Sequence, residues 1–144
     1  MSDVMDTTAF LAGNAIKIEE HEYVASKRFV KKNGEPIPWK LRVVSNDELD
    51  AMVKRCRKRE YNPKTREYRL TVDSEKLDLE MVCASVVFPN LNDVTLQESY
   101  GTVGAENTVK AMLTPGEYTD LTRAVTEVAG FQMGMEDQVK TAKN

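Results

Sequence analysis

His21 is the only histidine among the 144 residues, and Cys56 and Cys83 are the only cysteines. A thiol nucleophile needs a base such as imidazole within hydrogen-bonding reach. Here His21 sits among Glu19, Glu20 and Glu22, and neither cysteine has neighbours typical of a nucleophile. We therefore read His21 as a surface residue. The two thiols lie 27 residues apart without CxxC spacing. With His21 they make too few soft or imidazole ligands for a zinc site. The stretch Gly101-Thr102-Val103-Gly104 lacks the preceding strand and following lysine of a phosphate-binding loop. Carboxylate pairs such as Asp47/Glu48 and Asp73/Glu75 are better explained as charge at helix N-termini. The sequence nominates no catalytic residue, no metal site and no cofactor, and an enzyme is not expected.

Charge is the stronger signal. The net charge of −3 divides into −4 over residues 1–26, +8 over 27–69 and −7 over 70–144. Within the basic block, Lys54, Arg55, Arg57, Lys58 and Arg59 stand nearly consecutively. Such a block suits an acidic partner or an acidic region of a second copy. Three readings compete: a solvated helix end with no partner, such a protein-contact patch, and a nucleic-acid site, for which the aromatic company is thin, with Tyr61 and Tyr68 only.

The elements that must position these groups are legible from period and punctuation. Residues 6–16 fit one short helical turn broken at Gly13-Asn14. Glu22–Phe29 and Trp39–Val44 alternate as strands, joined through a turn at Asn33-Gly34. Along Trp39-Lys40-Leu41-Arg42-Val43 the apolar residues share one face and the cations the other. Ser45 and Glu48 form a capping box, and Leu49, Met52, Val53 and Cys56 follow at helical spacing. The basic run 54–59 is expected at the C-terminal end of that helix, where cations complement the dipole. Tyr61-Asn62-Pro63-Lys64 breaks it, and Glu67–Val72 reads as a strand.

Asp73 or Ser74 should cap a central helix whose Leu77, Met81, Val82, Cys83, Ala84, Val86 and Val87 leave little polar face, ending at Phe88-Pro89. Short helices follow from Asn92-Asp93 to Leu96 and from Glu106 to Leu113. Thr114-Pro115-Gly116-Glu117 opens a last helix that runs to about Val128. The expected fold class is α+β: N-terminal antiparallel β-hairpins, then a small helical C-terminal half around a buried central helix. One domain over residues 1–144 is expected, with flexible ends at 1–8 and 131–144. The acidic start lacks the basic n-region of a signal peptide, and apolar runs fall short of the ~20 residues that span a bilayer. A cytoplasmic chain is the expectation.

Particular letters add an identity. Ala9-Phe10-Leu11-Ala12, Tyr23 to Phe29, Val87-Phe88-Pro89-Asn90-Leu91-Asn92-Asp93, Gln97 to Gly101, and Lys110 to Leu113 followed by Pro115-Gly116-Glu117-Tyr118 occur in order. This series resembles the XkdN-like family of phage tail assembly chaperones from phages and prophages of Gram-positive bacteria. The segment 54–69 is the part that matches least. The resemblance implies a non-catalytic protein that binds the tape measure protein, helps bring tail tube protein to it, forms homo-oligomers and is absent from the finished virion. It also implies that a longer frameshifted form can exist, and that Met133 and Met135, which flank Gly134, are further candidates for partner contact, because Met adapts to varied surfaces. Two other functions stay open: a connector protein retained in the virion, and a small nucleic-acid-binding protein using residues 54–69.

Overall fold

The computed structural model describes residues 6–130. Five strands and five helices alternate: β1 (His21–Tyr23), β2 (Trp39–Leu41), α1 (Asn46–Arg55), β3 (Arg57–Asn62), β4 (Glu67–Val72), α2 (Ser74–Ser85), β5 (Val86–Phe88), α3 (Val94–Ser99), α4 (Ala105–Met112) and α5 (Pro115–Val128). A 3-10 turn at Thr8–Phe10 precedes them. This is the α+β arrangement expected, with antiparallel strands leading and helices dominating the second half. The expected terminal turn within 131–144 lies outside the described residues.

Two sheets form. The first is three-stranded in the order β1-β2-β5, antiparallel throughout. Trp39 and Leu41 point inward at 2% and 0% exposure while Lys40 faces solvent, so the period-two pattern sets the burial. The expected hairpin between β1 and β2 exists, but its strands are shorter than the alternation suggested. Tyr23 pairs with Trp39, whereas the next bridge is Val30 to Pro36. Six residues, 24–29, therefore face only Ile37 and Pro38, and the ladder breaks. The turn closes through the Lys31 N–H donating to the Glu35 carbonyl at 2.8 Å, with Gly34 at φ +87°.

The central helix α2 is where expectation needs its main correction. Asp73 caps it, accepting from the Lys76 N–H. The helix stops at Ser85, and Val86–Phe88 is a strand, not its last turn. Adjacent β-branched valines favour extended backbone, and Phe88 precedes a proline, which disfavours the helical region. Tertiary bonds then fix the switch. The Ser85 hydroxyl donates to the Arg42 carbonyl at 2.7 Å, and the Arg42 N–H donates to the Ser85 carbonyl at 2.8 Å. Val82 and Ser85 are wholly enclosed, but Val87 and Phe88 are 41% and 47% exposed, contrary to the buried position expected of Val87.

Around α2 lie α1, α4 and α5, and their inward residues Met52, Val109, Met112, Leu121 and Val125 join Trp39, Leu41 and Val82 in one hydrophobic cluster. The caps read from the sequence are present. Ser45 and Glu48 close a capping box on α1, and Thr114 and Glu117 close another on α5 with Pro115 in the first turn. Asp93 caps α3, accepting from the Thr95 N–H.

Candidate partner-binding surface

The second sheet is the hairpin β3–β4, paired in register from Arg57 opposite Val72 to Asn62 opposite Glu67. The basic run is therefore not a helix end, as the sequence reading had it. Only Lys54 and Arg55 lie on α1; its C-cap is Cys56, and Arg57, Lys58 and Arg59 begin the strand. Alternation wins here over the cationic run: Arg57-Arg59-Tyr61 and Tyr68-Leu70-Val72 are two period-two series that match each other across a four-residue turn. Arg66 closes that turn at φ +59°, its N–H donating to the Asn62 carbonyl at 2.7 Å.

Pairing and pleat sort the hairpin into two faces. One carries Arg57, Arg59 and Tyr61 from β3 with Tyr68, Leu70 and Val72 from β4. The other carries Lys58, Glu60, Asn62, Glu67, Arg69 and Thr71. The first face is apolar and cationic, and it is uncovered: Leu70 is 67% exposed, Tyr68 60%, Tyr61 50% and Val72 40%. Tyr61 and Tyr68 pack at 5.0 Å between centroids, and the Arg59 guanidinium stacks on Tyr68 at 4.5 Å. On the second face Arg69 and Glu60 approach to 3.7 Å. Thr71 is half-buried and its Oγ1 is enclosed without a hydrogen-bond partner. No residue of the hairpin is buried. A two-stranded ribbon with an exposed apolar face is marginal by itself and gains from a cover.

The base of the hairpin is anchored. The Asp73 N–H donates to the Cys56 carbonyl at 2.8 Å. Arg55 Nε reaches Glu80 Oε1 at 2.8 Å, and Cys56 Sγ donates to Glu80 Oε2 at the same distance. Burial favours the neutral form of Glu80, but the bonds from Cys56 and Arg55 outweigh it and lower its pKa. Burial and the Glu80 carboxylate push the Cys56 thiol up to about 11, and burial pushes Cys83 to about 12. Both thus stay protonated at neutral pH, as structural rather than nucleophilic thiols. His21 is exposed on β1, beside a groove of about 330 Å³ that Tyr23, Leu41, Glu127 and Val128 also line. Among the described residues, no group of three His, Cys, Asp or Glu side chains could hold a metal ion, and no helix is long and apolar enough to cross a membrane.

Of the partner-contact residues nominated from the sequence, Arg57 and Arg59 share the apolar face, Lys58 lies on the opposite face, and Lys54 and Arg55 sit at the base. Met133 and Met135 lie outside the described residues. Sequence reading missed Leu70 and Val72, whose alternation with Tyr68 was the available signal. It also missed the N-terminal arm, residues 6–20. All of these are exposed, and Phe10, Leu11, Ile16 and Ile18 are 83%, 55%, 96% and 73% exposed.

Residues 7–143 match the model of the phage XkdN-like tail assembly chaperone proteins. The chain belongs to that family. It is 30% identical over 143 residues to the phage-like element PBSX protein XkdN of Bacillus subtilis strain 168, spanning 99% of this chain and 96% of that one. It is also 30% identical to the uncharacterized protein YqbN of the same strain, over 98% and 95% of the two chains. A crystal structure of YqbN matches the fold with a TM-score of 0.72 at 27% identity, covering 88% of this chain and 98% of that one. The hairpin brings together aromatic, aliphatic and guanidinium groups on an uncovered face.

Proposed function

We propose that this XkdN-like chaperone is non-catalytic and binds the tape measure protein in the bacterial cytoplasm. It keeps that long partner soluble while tail tube protein assembles on it, and leaves before the virion is complete. The observation that carries this reading is the uncovered apolar and cationic face of β3–β4. Tyr61, Tyr68 and Leu70 offer rigid contact area, while Arg57 and Arg59 add attraction for acidic groups of an amphipathic segment. Lys54, Arg55 and Lys58 extend the positive field around the base, and Met133 and Met135 supply adaptable contacts. Each site is small, so useful affinity comes from many copies along one client.

Co-expression with the phage's own tape measure protein tests it. The client should stay soluble and co-elute with the chaperone, and Tyr68→Asp with Leu70→Asp should return it to the pellet. A client that stays insoluble beside the unaltered chain ends the assignment, and recovery of the chain in stoichiometric amounts from purified virions would make it a connector instead.

A further inference from the structure

The same hairpin face has a second complement on this chain. The N-terminal arm combines Ile16 and Ile18 with Glu19, Glu20 and, at the start of β1, Glu22. The hairpin residues 57–72 carry six Lys/Arg against two Glu, a balance of +4. Both elements are uncovered at once: Ile16 is 96% exposed while Leu70 is 67% exposed. Within one copy they therefore do not pack on each other. Among the described residues the arm's hydrogen bonds are local, such as the Thr8 N–H to Asp6 Oδ1 at 2.9 Å and the Asn14 side chain to the Thr8 carbonyl at 2.9 Å. An exposed apolar segment and an uncovered apolar face of opposite charge, which do not meet within one copy, have their natural cover between molecules.

We infer that the arm of one copy docks on the β3–β4 face of a second copy. Residues 16–20 lead directly into β1 without regular structure of their own. Extended as a continuation of that strand, they place Ile16, Ile18 and Glu20 on one side and Lys17 and Glu19 on the other. The first side fits the hairpin: the isoleucines cover Leu70 and Tyr68, and Glu20 meets Arg57 and Arg59. Stacking on Tyr68 at 4.5 Å already holds the Arg59 guanidinium in place, so little further ordering is needed to receive a carboxylate. The docked arm shields the client-binding face between engagements, and a client segment displaces it. That last role rests on the client reading; the contact between copies does not.

The test uses the full chain alone, without client. In sedimentation velocity the unaltered protein should associate reversibly with rising concentration, and less so as salt rises to ~0.5 M, where the Debye length falls below ~5 Å. Removing residues 2–18, none of which is buried among those described, should leave a folded monomer by circular dichroism. Glu20→Arg and the pair Arg57→Glu with Arg59→Glu should each weaken association about tenfold, consistent with one lost charge-assisted contact. Mixing the two charge-reversed proteins should restore it, because each protein's arm then matches the other's hairpin. A monomeric wild type at every concentration, association unchanged by arm removal, or a mixture no stronger than its parts would each overturn the inference. None of these outcomes bears on whether the tape measure protein stays soluble in co-expression, so the two readings fail separately.

Discussion

Arg28 and Glu117, 89 residues apart in the chain, meet at 2.7 Å and join the loop after β1 to the first turn of α5. The same Glu117 Oε1 accepts the Thr114 N–H at 2.9 Å, and the same Arg28 Nη2 donates to the Met112 carbonyl at 2.7 Å. One carboxylate thus completes a helix cap and fastens the irregular segment 24–29, which lacks a strand partner. The Arg42–Glu48 pair repeats this design at α1, where Glu48 also accepts from the Ser45 N–H.

These two carboxylates should dominate the acid limb of stability. Arg28 holds Glu117 at about 2, and Arg42 holds Glu48 at about 2, against an ordinary value of 4.5. A pKa lowered by folding stabilises the native state above the unfolded value, and that contribution is lost as pH falls through the folded one. Urea midpoints should therefore be flat above about pH 5 and decline between about 4.5 and 2. Glu48→Gln with Glu117→Gln should lower the neutral midpoint and flatten the decline. A decline of unchanged steepness would show that other carboxylates carry it.

Val82 and Val87, five positions apart, should behave oppositely. Val82→Asp places an unpaired charge at a position of 0% exposure, costing several kcal/mol and enough to unfold a domain of ordinary stability. Val86→Asp should do likewise, since Val86 is 8% exposed. Val87→Asp, on the outward side of β5 at 41% exposure, should stay folded. Thermal melts followed at 222 nm decide this, and equal loss in all three would return β5 to the helix.

The hairpin should be removable. Arg57 and Val72 face each other at its base, and the Cys56 carbonyl bonds to the Asp73 N–H. Replacing residues 58–71 with Asn-Gly, a two-residue turn suited to that register, should shift Tm by only a few degrees. Client co-elution should vanish with it. Retention of the client by the trimmed chain would place the contact elsewhere.

Thr71→Val should stabilise. The enclosed Thr71 Oγ1 has no partner, and replacing an unsatisfied hydroxyl by a methyl of similar shape gains about 1 kcal/mol. Urea denaturation is the check, and a lower midpoint would mean that the hydroxyl is solvated.

Helices and caps were the legible part of this chain, because Ser45/Glu48, Asp73, Asp93 and Thr114/Glu117 are local devices that work through three or four consecutive residues. What escaped was decided by pairing. Val86–Phe88 reads as helix by its neighbours, yet Arg42, 43 residues before Ser85, turns it into a strand. The basic run 54–59 looks like a helix end until β4 supplies a partner for its second half. Of the candidate surface, the cations were visible and the face was not. Strand pairing alone places Arg57 and Arg59 beside Leu70 and turns Lys58 away.

The three-stranded sheet has a consequence for a molecule proposed to handle apolar chain. Exposed strand edges invite further strands, and an aggregation-prone client beside a long open edge can be templated into a growing ladder. Here both edge strands, β1 and β5, are only three residues long, and Pro89 follows directly on β5 with no N–H to offer. On the hairpin, Lys58, Glu60, Glu67 and Arg69 charge the face opposite Tyr68 and Leu70. Under the client-binding proposal, the three-stranded sheet would therefore offer a held partner little edge on which to add a strand, and the grip would fall to side chains of the hairpin face.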